Sequence, residues 1–252
     1  MNVSSFSVVF AFLTACLSGC DTKPFSDGFD GSRLDSDKWQ IDMESECDYR
    51  LVSIDNSGKR ALRIAGPYEA RCEIVPKIFP EWSRKIRREP FGEERIYRFS
   101  TFIESIQAPL AAMELTDNTI VAQWHSSPDF LPSKEEGRGP PLALRIHDGQ
   151  WGITYGYDTD FVSEPGYLAN NWHWIGAVEK ERWTDWEFRV VWESGAGGYT
   201  RVYQDGRLIM SRDGPNAFND LRGVYLKLGL YHSYVDTVIL LDSIYIADGQ
   251  RE

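Results

Sequence analysis

Three short stretches of this 252-residue chain bring groups that can move a proton beside groups that can hold an anion. The first is Gln123-Trp124-His125. In an extended strand, residues two apart share a face. Gln123 and His125 therefore point one way, and Ile120, Ala122 and Trp124 the other. An imidazole titrates near neutral pH and suits a general base. A strand histidine on its own is more often a hydrogen-bonded structural residue, but an amide at its side shifts the reading towards a cleft. The second stretch, Tyr225-Leu226-Lys227-Leu228-Gly229-Leu230-Tyr231, alternates in the same way. Tyr225, Lys227, Gly229 and Tyr231 share one face, and Gly229 leaves a gap where something can approach the backbone. An ordinary solvated face would tolerate the same lysine and tyrosines. In the third, Arg71-Cys72-Glu73, the arginine is either half of a surface ion pair or a fixed fork for a carboxylate.

These sets need strands to carry them. No long segment shows a 3.6-residue apolar period; short alternating runs recur instead, bounded by turn residues. They are Arg60–Ala65, Ile96–Ile103, Thr119–His125, Leu142–His147, Trp186–Trp192, Tyr199–Tyr203, Tyr225–Tyr231 and Val238–Ile246. Asp148-Gly149 and Asp205-Gly206 sit between such runs and read as tight hairpin turns. Residues 126–141, rich in Pro and Gly, read as one long surface loop. The expected fold is all-β, with residues 20–252 forming a single two-sheet antiparallel sandwich of jelly-roll type.

Asp27-Gly28-Phe29-Asp30-Gly31, followed by Leu34-Asp35-Ser36-Asp37-Lys38-Trp39, resembles the first strand of concanavalin-like jelly rolls in carbohydrate enzymes and lectins. The order Arg-x-Glu, Gln-x-His, Tyr-x-Lys-x-Gly-x-Tyr is similar to that of jelly-roll polysaccharide lyases. The nearest likeness is to the heparin lyase I-like group, with the related glucuronan and alginate lyases. It runs from Phe25 to Ile246.

The resemblance implies β-elimination on a uronic-acid polymer. The C5 proton lies α to a carboxylate and is hard to remove until that charge is neutralised. Gln123 and Arg71 would bind the carboxylate and stabilise the enolate-like dianion. His125 is the candidate base. A tyrosine must protonate O4: Tyr231, four after the lysine, ranks first, and Tyr225, two before it, stays open. Lys227 would help hold the acidic substrate, and Glu73 is a further candidate binding residue. The expected partner is an acidic polysaccharide, acted on by a monomer that requires no cofactor.

Other residues carry two readings each. Trp172, His173 and Trp174 make an aromatic patch in an expected loop, where Trp172 and Trp174 either stack on sugar rings or pack under the sandwich edge. Arg84-Lys85-Ile86-Arg87-Arg88 is the most basic stretch. It is either a solvated charge run or a positive wall in which Arg87 and Arg88 bind the polymer. Asp27, Asp30, Asp35 and Asp37 could hold a structural calcium, but suit turns better; no other metal site is expected.

Residues 1–19 carry no charge, and Phe6–Leu17 is nearly all apolar, as in a signal peptide. Leu17-Ser18-Gly19-Cys20 resembles the lipobox of bacterial lipoproteins, with Cys20 as lipid acceptor and mature N-terminus. Export to the periplasm, the outer membrane surface or the medium is expected, with membrane contact only through the lipid. In such an oxidising compartment Cys47 and Cys72 form a disulfide by default. A formal net charge of -11 disfavours nucleic acid. A polyanionic sugar then demands a local positive groove against an acidic surface. The competing reading is a non-catalytic carbohydrate-binding or adhesion jelly roll. A glycoside hydrolase would need paired carboxylates across the bond, and the Glu-x-Asp-x-x-Glu strand signature of laminarinase-type enzymes is absent.

Overall fold

The computed structural model of the chain describes residues 23–67, 70–77, 86–107, 118–129, 138–163, 171–231 and 236–250. The signal-like segment and Cys20, Arg84 and Lys85, His232 and much of the 126–141 loop lie outside them. Among the described residues the regular structure is all strand. The strands are β1 Phe25–Asp27, β2 Trp39–Met43, β3 Asp48–Ser53, β4 Arg60–Gly66, β5 Arg71–Pro76, β6 Glu94–Gln107, β7 Asn118–His125, β8 Leu142–His147, β9 Gln150–Tyr155, β10 Asn171–Ala177, β11 Trp183–Val191, β12 Tyr199–Gln204, β13 Arg207–Asp213, β14 Tyr225–Tyr231 and β15 Asp236–Asp248.

They form two antiparallel sheets. One runs β13-β12-β11-β6-β15-β4-β3, with β1 also paired to β15; the other runs β10-β9-β8-β7-β14-β5-β2. This is the jelly-roll sandwich the alternation predicts. Both expected hairpin turns form, with positive φ at Asp148, Gly149, Asp205 and Gly206, as such two-residue turns require. Trp172–Trp174, however, lies in edge strand β10, not in a loop.

The sheets meet over an aromatic core. Trp124 is fully buried and sits 4.6 Å from Phe188, 5.1 Å from Tyr97 and 6.2 Å from Trp192, ring to ring. Trp151 meets Trp186 edge-on at 5.0 Å. Such burial is worth roughly 2–3 kcal/mol per large side chain, and it fixes which face each strand turns inward. With Trp124 inward, Gln123 and His125 must face outward.

Two irregularities reshape the site sheet. On β7 the register slips between Ile120 and Ala122. Val121, Ala122 and Trp124 join the core while Ile120 does not, so Ile120 shares the outward face, contrary to simple alternation. On β14 the register slips between Leu228 and Tyr231. Gly229 there has φ +143, and a Cβ would lie 2.1 Å from the Cys72 carbonyl oxygen. The gap read from the sequence is therefore filled by β5 itself rather than left for a ligand. Cys72 is bonded to Cys47, tying the loop after β2 to β5.

Gly229→Ala is expected to cost about 3 kcal/mol in urea unfolding, because backbone cannot yield as a side chain does. Reduction of Cys47–Cys72, spaced 25 residues apart, should cost about 3 kcal/mol, read as a lowered Tm.

Candidate active site

Cross-strand register collects the three sequence sets on the outward face of the second sheet. Tyr225 pairs with His125 and Lys227 with Gln123. Gly229 pairs with Glu73 and Tyr231 with Arg71, and Asp42 on β2 lies opposite Glu73. One row continues Gln123–Ala143–Thr154–Trp172, and the next runs Arg71–Tyr231–Ile120–Arg145–Gly152–Trp174.

The centre of this face is buried. Gln123 is 0%, Glu73 1% and Lys227 4% exposed. A carboxylate so placed must be paired. The Gln123 amide Nε2 donates to Glu73 Oε1 at 2.5 Å. Glu73 Oε2 lies 3.6 Å from Lys227 Nζ and 3.8 Å from Arg71 Nη1. Burial still pushes the Glu73 carboxyl up, with Lys227 and Gln123 pulling against it. Lys227 Nζ also donates to Asp42 Oδ2 at 2.7 Å, and Arg71 Nη1 reaches the same oxygen at 3.3 Å. Burial works to raise the Asp42 carboxyl, but the two cations outweigh it and hold it low.

Around this centre stand half-buried groups. His125 Nδ1 lies 2.5 Å from the Ser126 carbonyl. A carbonyl only accepts, so Nδ1 carries the proton and Nε2 keeps its lone pair. Burial pushes the His125 imidazole down, and the charges of Lys227, Arg71 and Arg138 act the same way. Tyr225 lies 5.6 Å from His125, ring to ring. On its other side the Arg88 guanidinium sits 4.8 Å from the Tyr225 ring, donating to Gly223 O and Ser127 Oγ. The Arg71 guanidinium lies 4.1 Å from the Tyr231 ring.

Other sequence expectations divide. Arg88 reaches the site; Arg87 turns inward instead, donating to Glu89 and to the Lys23 carbonyl. Trp172 and Trp174 stack at 4.8 Å on the site face, with the His147 ring 5.4 Å from each. Trp172 lies over Gly152, where a Cβ would come within 3.0 Å of its ring. His173 points away, its Nε2 2.9 Å from the Ile209 carbonyl. Of the early aspartates, Asp27 accepts from Phe29 N and Trp39 Nε1, and Asp35 from Asp37 N. Among the described residues no three His, Cys, Asp or Glu side chains gather as a metal site would need. Sequence reasoning missed Asp42 and Arg145, which sit on β2 and β8 with no motif around them; only pairing register brings them in.

The model of the family described as polysaccharide lyase matches residues 34–248. The chain belongs to the polysaccharide lyase family. Among curated proteins none matches it in sequence. Solved structures share the fold. An endo-β-1,4-glucuronan lyase from the fungus Trichoderma reesei superposes with TM-score 0.63 at 16% identity, covering 88% of this chain and 97% of that one. The alginate lyase AlyA1 from Zobellia galactanivorans gives 0.56 at 9%, covering 86% and 97%. A double-cysteine form of alginate lyase A1-II′ gives 0.54 at 13%, covering 84% and 95%. This polysaccharide lyase therefore places its three motif sets on one face of a lyase-type sandwich.

Asp42→Ala in this lyase leaves the buried Lys227 ammonium without its nearest acceptor, and is expected to cost about 1–3 kcal/mol at neutral pH. The Asp42 contribution should vanish on acidification. A lowered carboxyl stabilises above its unfolded value of about 3.9 and loses that stabilisation as pH falls through the folded value. Urea unfolding of Asp42→Ala and the parent chain across that range, converging at low pH, checks it.

Proposed function

We propose that the enzyme cleaves a uronic-acid polymer by β-elimination, leaving a 4,5-unsaturated uronate end. The observation that carries this reading is the single face holding Arg71, His125, Tyr225 and Tyr231 around the buried Gln123–Glu73–Lys227 group. Arg71, half-exposed, takes the substrate carboxylate. His125 removes the C5 proton through Nε2, and the electron pair moves into the carboxylate as an enolate-like dianion. The C4–O4 bond then breaks, the C4=C5 double bond forms, and a tyrosine hydroxyl gives its proton to the departing O4.

Carboxylate, C5 and O4 belong to one sugar ring, so the acid must adjoin the group that holds the carboxylate. Tyr231 adjoins Arg71 and takes that role. Tyr225, against His125, orients the imidazole. Gln123 is buried, so it acts as a positioning residue through Glu73 rather than as a direct ligand. Lys227 does the same: its ammonium is committed to Asp42. Arg88 faces the His125 end, and Trp172 and Trp174 offer stacking surface at the other. The first 19 residues and the Cys47–Cys72 bond support an exported enzyme, with Cys20 as its lipid site.

Ultraviolet absorbance of unsaturated product should rise on glucuronan, alginate or a related uronate polymer. His125→Ala and Tyr231→Phe should each lower that rate about 10²–10⁴-fold, and Tyr225→Phe much less. Product from none of these polymers, or a full rate in His125→Ala, overturns the reading. Because burial pushes His125 down, the acid limb of kcat/KM should fall below the ordinary histidine value of about 6.5 and disappear in His125→Ala.

A further inference from the structure

Among the described residues Arg145 is a cation without a carboxylate partner. Its Nε donates to Thr154 Oγ1 at 2.8 Å and its Nη1 to Asn118 Oδ1 at 3.1 Å. Both acceptors are neutral, and no carboxylate among the described residues pairs with it. The charged form is disfavoured accordingly: burial brings the guanidinium down to about 10, against the opposing pull of Tyr231, and the Trp172 ring lies 5.9 Å from the guanidinium. A half-buried, uncompensated charge costs stability. Two hydrogen bonds nonetheless hold this one in a fixed orientation on the site face, with donors to spare.

Its position is specific. In the row Arg71–Tyr231–Ile120–Arg145, the two guanidinium groups lie on opposite sides of Tyr231. Arg145 stands three strands from Arg71, about 14 Å at ~4.8 Å per strand, but both long side chains reach to Tyr231 between them: the Arg71 guanidinium lies 4.1 Å from its ring, and Arg145 is within electrostatic range of it. Trp174 and Trp172 lie on β10, two strands beyond Arg145.

We propose that Arg145 is a specificity-determining residue that binds the carboxylate of the sugar unit leaving from O4, across Tyr231 from the unit held by Arg71. The inference rests on the β-elimination reading and narrows it. The preferred substrate is a homopolymer of uronates, charged on both sides of the broken bond. An alternating glycosaminoglycan, whose leaving unit is an amino sugar, lacks the carboxylate at that place.

The test compares the wild-type enzyme with Arg145→Gln and Arg145→Lys on polyglucuronate, on alginate and on unsulfated alternating hyaluronan. Turnover is read as unsaturated product, binding by calorimetry with uronate oligomers, and stability by Tm. Wild type is expected to favour a homopolyuronate. On it, Arg145→Gln should raise KM about 10–100-fold, the range for a lost charged hydrogen bond, with the loss in KM rather than kcat. Arg145→Lys should recover part of it. Tm should hold or rise in Arg145→Gln, because an unpaired charge is removed; a merely structural arginine would lower it. Unchanged KM and oligomer affinity in Arg145→Gln, or a fall in Tm with a proportional loss of kcat, overturns the proposal. Binding separates the two readings. If wild type releases no product but Arg145→Gln still loses oligomer affinity, the lyase mechanism fails and the anion site stands.

Discussion

Everything on the working face depends on one buried carboxylate. Glu73 lies on β5 beneath the surface, and a charge there is tolerable only with partners. It obtains them from three directions: the Gln123 amide from β7, the Lys227 ammonium from β14, and Arg71 from its own strand. Those same contacts fix where Arg71 stands relative to Tyr231. Asp42 on β2 completes the cluster by bridging both cations. The central charges are therefore spent on one another. What the outward face presents is the ring around them, His125, the two tyrosines, Arg71 and Arg145.

The opposite face of the same strands explains why this ring is held firmly. Trp124, between Gln123 and His125, packs against Tyr97, Phe188 and Trp192 from the other sheet. A register slip of one residue would turn Trp124 outward and the polar pair inward. The apolar core thus acts as a registration device for the polar site.

Much of this was legible in the amino-acid order, and the gaps have physical causes. Alternation places Gln123 with His125 and Lys227 with Tyr225, because period two is local to a strand. It fails at Ile120, where a register shift on β7 turns the residue outward; at Gly229 the face is right, but the close approach is made by β5 rather than by a ligand. It assigns Trp172–Trp174 to a loop, because an edge strand carries no continuous apolar face to announce it. Asp42 and Arg145 stay invisible because their meaning comes from pairing between distant segments. Arg87 and Arg88 are adjacent and equally basic, yet only Arg88 reaches the site; a strand-like alternation around Glu89 was the available clue.

The placement of the tryptophan pair has one more consequence. Among the described residues β10 is the last strand of its sheet, and its outer edge carries Trp174, 48% exposed. A flat apolar edge invites another chain to add a strand. The register shift between Trp174 and Gly176 bends this one, and a bent edge is a poor template for further pairing. With the stacking role proposed for these tryptophans, one strand would then serve both solubility and sugar binding. Removing that irregularity to extend the aromatic face would straighten the edge and restore a template for strand addition.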